Sequence, residues 1–352
     1  MSWVRRNFIG RGSFSTVHLA EPTSSSSEIS SPTAVKSSQV FCCSFLKNEK
    51  QVLDCLGFCP QIVQCLGDGY SLENGVEYYN LFLEYAAGCN LSDHIKNRGG
   101  RLPESDVRRC TMSIVQGIQH IHAKGFVHCD IKLQNILLFG NGDVKIADFG
   151  LAKKTGEEEE EQSREEKQRE FRGTPLFMSP ESVKDNVYDS PADIWSLGCA
   201  VVEMVTGKPA WNSPKGSELN NIYSLLLRIG VGDELPEIPD KLSEDGKDFL
   251  RKCLVKDPAK RWTAEMLLKH PFIKQSDEES SPRSHFDFPD WVSSPSTFAP
   301  NSPESDQWCE WKFDSSSCVA SFCSPVDRLR QMVTDERPNW LELESENWEV
   351  VR

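Results

Sequence analysis

The sequence predicts an α+β protein of two lobes, a small β-rich one and a larger helical one, followed by a disordered acidic tail. Three observations predict it. Short strand-like apolar runs dominate before about residue 85, and helix-period stripes dominate after it. Periodic signal is dense over 3–273 and absent over 274–352. That tail carries 16 acidic against 7 basic residues, fifteen serines and seven prolines, a composition that buries too little surface to offset chain entropy. The expected divisions are 3–85, 86–273 and the tail, 274–352.

The first element is the stretch "IGRGSFSTV", Ile9, Gly10, Arg11, Gly12, Ser13, Phe14, Ser15, Thr16 and Val17. Two glycines at spacing two allow a sharp turn and a close approach of backbone to phosphate; a plain hairpin turn is the alternative. The third glycine of a G-x-G-x-x-G-x-V pattern is replaced by Ser15, whose Cβ stiffens the turn by up to about 1 kcal/mol. "PTSSSSEISSP" is a low-complexity loop leading to a second strand, "TAVKSS", which holds Ala34 and Lys36. Glu49, in the helix-like "FLKNEKQVL", is the only acidic residue between Lys36 and Asp54. An ion pair between them would hold the lysine within reach of nucleotide phosphates.

Further along, Val107, Thr111, Ile114, Ile118 and Ile121 recur at helical spacing, so a helix with one buried face is predicted between Pro103 and Gly125. "VHCDIKLQNILL" then places Asp130, Lys132 and Asn135 at short fixed offsets. An aspartate there can accept a hydroxyl proton, a lysine can neutralise a transferring phosphoryl group, and an asparagine offers an oxygen to a divalent cation. In "VKIADFGLA", Asp148 follows an apolar strand and Gly150 permits a turn, an arrangement suited to magnesium bridging two phosphates. "EEEEEQSREEKQRE" is a polar loop, and a second long helix is predicted over 191–206.

Bulk properties exclude several classes. A net charge of −14 and a pI near 5.1 argue against nucleic acid or an anionic membrane as the main partner. The best apolar run, around 194–205, is interrupted by Glu203, so no membrane span is expected, and nothing apolar follows Arg5 and Arg6 to form a secretory signal. Thirteen scattered cysteines without a CxxC pair fit reduced thiols, hence a cytoplasmic or nuclear location.

Taken together, the glycine loop, A-V-K, H-x-D-x-K-x-x-N, D-F-G, "GTPLFMSPE" and "DIWSLGC" resemble the eukaryotic protein kinases, over roughly three quarters of the chain. The resemblance implies the bilobal kinase fold with ATP and Mg²⁺ in the cleft. It implies that Lys36 contacts the α/β-phosphates and Glu49 holds it, that Asn135 and Asp148 bind Mg²⁺, and that Asp130 orients the substrate hydroxyl. In "LFLEYAAG" it makes Leu83 the gatekeeper, with the Glu84 carbonyl and Ala86 amide holding adenine, and it pairs Glu181 with Arg261. Lys132 and Thr174 of "GTP" match the serine/threonine class. Within that class the chain is similar to short plant MEKK-like mitogen-activated protein kinase kinase kinases, whose implied substrates are mitogen-activated protein kinase kinases in a stress or hormone cascade.

Departures from the pattern leave alternatives open. Cys129 stands where most relatives have an arginine that clamps a phosphorylated activation loop, and a thiol cannot make those bonds. Activity is therefore expected to depend less on loop phosphorylation, for which Thr155, Ser163 and Thr174 are the candidate residues, and the acidic run 157–161 is a weaker candidate phosphate mimic. Ser15, Cys129 and "SPE" in place of an alanine-led triplet also suit a pseudokinase scaffold, although such a scaffold has no need of the complete catalytic set. A kinase of another branch with non-kinase targets is the other rival. In the tail, Trp291, Trp308, Trp311, Trp340 and Trp348 read as docking motifs, and Ser281, Ser294, Ser302 and Ser324 each precede proline, as feedback phosphorylation sites would.

Overall fold

A computed structural model describes residues 3–12, 15–22, 32–156, 171–211 and 222–274. Ser13 and Phe14 of the glycine loop, most of the 22–32 loop, the acidic loop 157–170 and the tail tryptophans and Ser-Pro pairs lie outside the described residues.

The first lobe is an antiparallel five-stranded sheet, order β1-β2-β3-β5-β4, formed by β1 (Trp3–Arg11), β2 (Thr16–Pro22), β3 (Thr33–Gln39), β4 (Cys65–Glu73) and β5 (Val76–Glu84). Central β3 is buried from Thr33 to Ser38, so its small and β-branched residues need no alternation. β4, at the edge, alternates between half-buried and exposed positions. The glycine loop is a hairpin: Gly10 pairs with Val17, Arg11 with Thr16, and the Gly12 N–H donates to Ser15 O (2.8 Å). The single helix of this lobe, α1 (Ser44–Leu56), packs Leu46, Glu49, Val52, Leu53 and Leu56 inward.

Helices fill the second lobe: α2 (Leu91–Asn97), α3 (Glu104–Ala123), α4 (Pro180–Asp185), α5 (Ser190–Thr206), α6 (Ile222–Gly230), α7 (Glu244–Cys253), α8 (Ala264–Leu267) and α9 (Pro271–Lys274). Between α3 and α4 run β6 (Phe126–Val127), β7 (Ile136–Leu138), β8 (Val144–Ile146) and β9 (Lys153–Lys154); β6 pairs with β9 and β7 with β8. The predicted stripe on α3 is buried at all five positions, and the helix stops before Gly125, whose φ of 76° lies in the left-handed region that favours glycine. α5 realises the helix expected at 191–206. It is buried almost throughout and ends at Gly207, where a Cβ would fall 1.6 Å from Gly100 O. One continuous apolar core joins the two lobes, while Trp3 packs on Ala20, Val35 and Phe82 on the outer sheet face. Among the described residues all ten cysteines are free and no helix is long and apolar enough to cross a membrane.

Candidate active site

Between the lobes lies a cleft. Ala34, Lys36, Glu49, Leu83, Glu84, Ala86, Asn135 and Asp148, all singled out from the sequence, line it. Lys36 reaches it from β3, opposite Val17 in the β2–β3 register, so the hairpin carrying the two glycines runs beside the lysine. Lys36 Nζ donates to Glu49 Oε2 (2.7 Å) and to Asp148 Oδ1 (3.0 Å). One cation thus ties α1 to the turn after β8. Burial alone would strip the charges. It pushes the Glu49 carboxyl up against the pull of Lys36, whereas at Asp148 the lysine prevails over burial and holds the carboxyl down to about 2. The two carboxylates in turn raise Lys36 above the usual ammonium range despite its burial.

Asp148 adopts φ 66°, a left-handed backbone that turns its side chain into the cleft. The next turn is fixed from α1. Asn48 Nδ2 donates to Ala152 O (2.9 Å) and Gly150 O (3.0 Å), with Phe149 O at 3.4 Å, and the Phe149 N–H donates to Glu49 Oε1 (3.3 Å).

The loop between β6 and β7 brings the other polar residues together. Thr174 Oγ1 donates to Asp130 Oδ1 (2.8 Å), Lys132 Nζ contacts Asp130 Oδ2 (2.8 Å) and Thr174 Oγ1 (2.8 Å), and Asn135 Nδ2 donates to Asp130 Oδ2 (2.9 Å). Residues 42–44 positions apart in sequence thereby meet on one carboxylate. The loop is held from behind by Asp193 of α5, which accepts the backbone N–H groups of His128 (2.9 Å) and Cys129 (3.0 Å) and bonds His122 Nε2 (2.8 Å). Burial would raise the Asp193 carboxyl; the hydrogen bond and charge of His122, with His128, keep it below the usual range. His128 Nδ1 accepts from the Asp130 N–H (3.2 Å), leaving Nε2–H for Ala147 O (3.1 Å). Cys129 has φ 67°, and burial, reinforced by Asp193, pushes its thiol well up, so it is no reactive thiolate. Below the loop, Arg261 and Glu181 form the expected pair, bidentate at 2.7 and 3.0 Å.

Sequence reasoning missed Val63, Tyr85, Gln134, Leu137 and Ala147 in the cleft wall, and the anchoring roles of Asn48 and Asp193. The wall residues carried no signal beyond apolar positions near a motif. Asp193 opens "DIWSLGC", so its motif was visible while its partners were not.

A glycine-bearing hairpin beside a buried lysine–carboxylate set, and a second carboxylate held by lysine and threonine, suit a phosphotransferase acting on hydroxyls. The chain belongs to the protein kinase family: the model of the protein kinase domain matches residues 3–273. It is a serine/threonine kinase, and Lys132 and Thr174, the residues that resemble that class, are in contact (2.8 Å). Over 342 residues, 97% of both chains, it is 52% identical to mitogen-activated protein kinase kinase kinase 20 of Arabidopsis thaliana. It is 40% identical to kinase kinase kinase 17 (78% of this chain, 70% of that one) and 39% identical to kinase kinase kinase 18 (79% of each), both from the same plant.

Proposed function

We propose that this chain transfers the γ-phosphoryl group of ATP to serine or threonine of mitogen-activated protein kinase kinases, acting at the head of a plant signalling cascade in the cytoplasm or nucleus. The observation that carries the phosphotransfer is the closed set of bonds Lys36–Glu49, Lys36–Asp148 and Asp130–Lys132–Thr174. The full-length likeness to proteins named as kinase kinase kinases supports the cascade position.

The residues fit the nucleotide and its metal. The Ala86 N–H is buried without a protein acceptor among the described residues, as an adenine donor requires, and Glu84 is turned aside by Lys145 Nζ (2.7 and 2.8 Å). Asn135 directs its amide nitrogen at Asp130, which leaves Oδ1, and Asp148 retains Oδ2 beyond the lysine. Two hard oxygens completed by phosphate and water make a magnesium site. When bound, Mg²⁺ supplies neutralisation of charge on the phosphates. Lys36 orients the α/β-phosphates, Asp130 positions the attacking hydroxyl and receives its proton, and Lys132 stabilises the transferring group.

Full-length protein with Mg-ATP is expected to phosphorylate the activation-loop serine or threonine of a catalytically inactive mitogen-activated protein kinase kinase, read by mass spectrometry. Asp130→Asn should lower the rate by about 10²–10⁴-fold. Autophosphorylation without transfer to that substrate would refute the cascade position, and nucleotide binding without any transfer would refute the kinase.

A further inference from the structure

Arg5 stands on β1, at one edge of the five-stranded sheet, and Glu73 on β4, at the other. Neighbouring strands lie about 4.8 Å apart, so a flat sheet would set its edges roughly 19 Å apart, beyond the combined reach of the two side chains. Yet Arg5 Nη2 and Nε donate to Glu73 Oε1 (2.7 Å) and Oε2 (3.2 Å). The sheet is therefore curled, and this ion pair closes the curl across its outer face.

The same guanidinium takes one side chain from each strand in between. Nη1 donates to His18 Nδ1 of β2 (3.3 Å) and to Ser37 Oγ of β3 (2.9 Å), and Nη2 donates to Asn80 Oδ1 of β5 (3.2 Å). The acceptors are linked in turn. Ser37 Oγ donates to Asn80 Oδ1 (2.6 Å), Asn80 Nδ2 to Ser71 Oγ (2.8 Å), and Ser71 Oγ to Glu73 Oε1 (2.8 Å). Ser37 and Asn80 are buried, so water competes little for these bonds. Burial would raise the Glu73 carboxyl; the bonds from Arg5 and Ser71 hold it below the usual range. A planar fork of five donors can serve four strands at once, which an ammonium cannot.

What this clasp holds is the glycine hairpin. In the sheet β1 is bonded to β2 alone, and their ladder breaks register twice, between Arg5 and Phe8 and between Phe8 and Gly10. Such bulges bend a strand, so main-chain pairing by itself leaves the pitch of the hairpin loosely set. Arg5 grips both strands: its own, and β2 through His18, whose ring meets Phe8 edge-on (5.4 Å) at the pair next to Gly10 and Val17. Arg5 is not among the residues that line the cleft, and its guanidinium lies 5.4 Å from the Trp3 ring on the outer face. We propose that Arg5 is a positioning residue for the nucleotide phosphates, fixing the height of the glycine hairpin above Lys36 through Glu73, Asn80, Ser37 and His18. The proposal rests on reading that hairpin as the cradle of the ATP phosphates.

The test is calorimetric binding of two probes to the full chain with Mg²⁺: the non-hydrolysable imido analogue of ATP, and adenosine, which has no phosphate for the hairpin to hold. Arg5→Met should weaken the analogue about five- to tenfold and adenosine less than about twofold. Arg5→Lys, and Glu73→Gln, which leaves a neutral acceptor, should fall between that variant and the wild type. Arg6→Met is the control, because Arg6 lies on the same strand, bonds Glu21 (2.8 Å) at the surface and carries the same charge. It should change neither affinity. Equal weakening of both probes would mean a smaller folded fraction and would overturn the proposal, as would unchanged affinities in Arg5→Met. An equal effect of Arg6→Met would assign the loss to net charge and overturn it too. A wild-type chain that binds adenosine as tightly as the analogue would refute the phosphate cradle itself and the proposal with it, a failure visible before any substitution is made.

Discussion

Arg261 concentrates several jobs in one guanidinium. It grips Glu181 with both nitrogens, donates to Pro191 O (2.6 Å) and Val255 O (2.8 Å), and lies 5.3 Å from the Trp195 ring, fully buried. Removing one partner of a buried pair strands the other charge, a loss of about 3–5 kcal/mol. Arg261→Ala is therefore expected to cost that much in urea unfolding. Arg261→Lys should recover less than half, since an ammonium cannot reproduce the fork. A loss under about 1 kcal/mol in the alanine variant would contradict the geometry. This pair was legible only through the resemblance to the protein kinases, because eighty residues separate the two partners and no local spacing joins them. Val63 and Leu137 were not, because an apolar wall residue differs from any core residue only in what stands opposite it.

At the scale of the element, α5 shows where pattern reading stops. Its apolar run and its ending at Gly207 are plain in the sequence, and Glu203 is visible there only as an interruption. In the fold that carboxyl is half-buried on a helix packed into the core. It forms no ion pair among the described residues, and burial pushes it from 4.5 to about 7 against the weak pull of Lys96. An acid whose folded pKa is raised favours folding in its protonated form. Its contribution is complete below about pH 4.5 and is lost as the pH rises through about 7. Glu203→Gln should remove this slope. The variant is expected to match the wild type in urea midpoint near pH 5 and to exceed it by about 1–3 kcal/mol near pH 8. Parallel pH profiles for the two proteins would show that the carboxyl is better solvated than its burial implies.

Across the whole molecule, the catalytic parts stand assembled while the residue before Asp130 is a cysteine. The backbone N–H groups of His128 and Cys129 are held by Asp193, and position 129 itself offers no cation to clamp a phosphate. Cys129 Sγ does no more than approach Val127 O at 3.6 Å. Phosphatase treatment of active protein is thus expected to leave kcat within about twofold. A fall of tenfold or more, about 1.4 kcal/mol in barrier, would mean that loop phosphate is required after all. The lobes, their order and the helices that anchor them followed from periodicity. The joining of Lys36, Asp148 and Asn48 could not, because it depends on α1 meeting a turn about a hundred residues away.

That meeting bears on which small molecules the cleft will accept. Because Asn48 and Glu49 hold the backbone from Phe149 to Ala152, α1 cannot swing outward while that backbone stays, and Phe149 cannot turn over while α1 stays. A compound that wedges the helix aside or occupies the place of Phe149 begins with a deficit of three or so hydrogen bonds, about 1 kcal/mol each. Inhibitor chemistry for this enzyme is best aimed at the closed cleft, and selectivity sought in its rim.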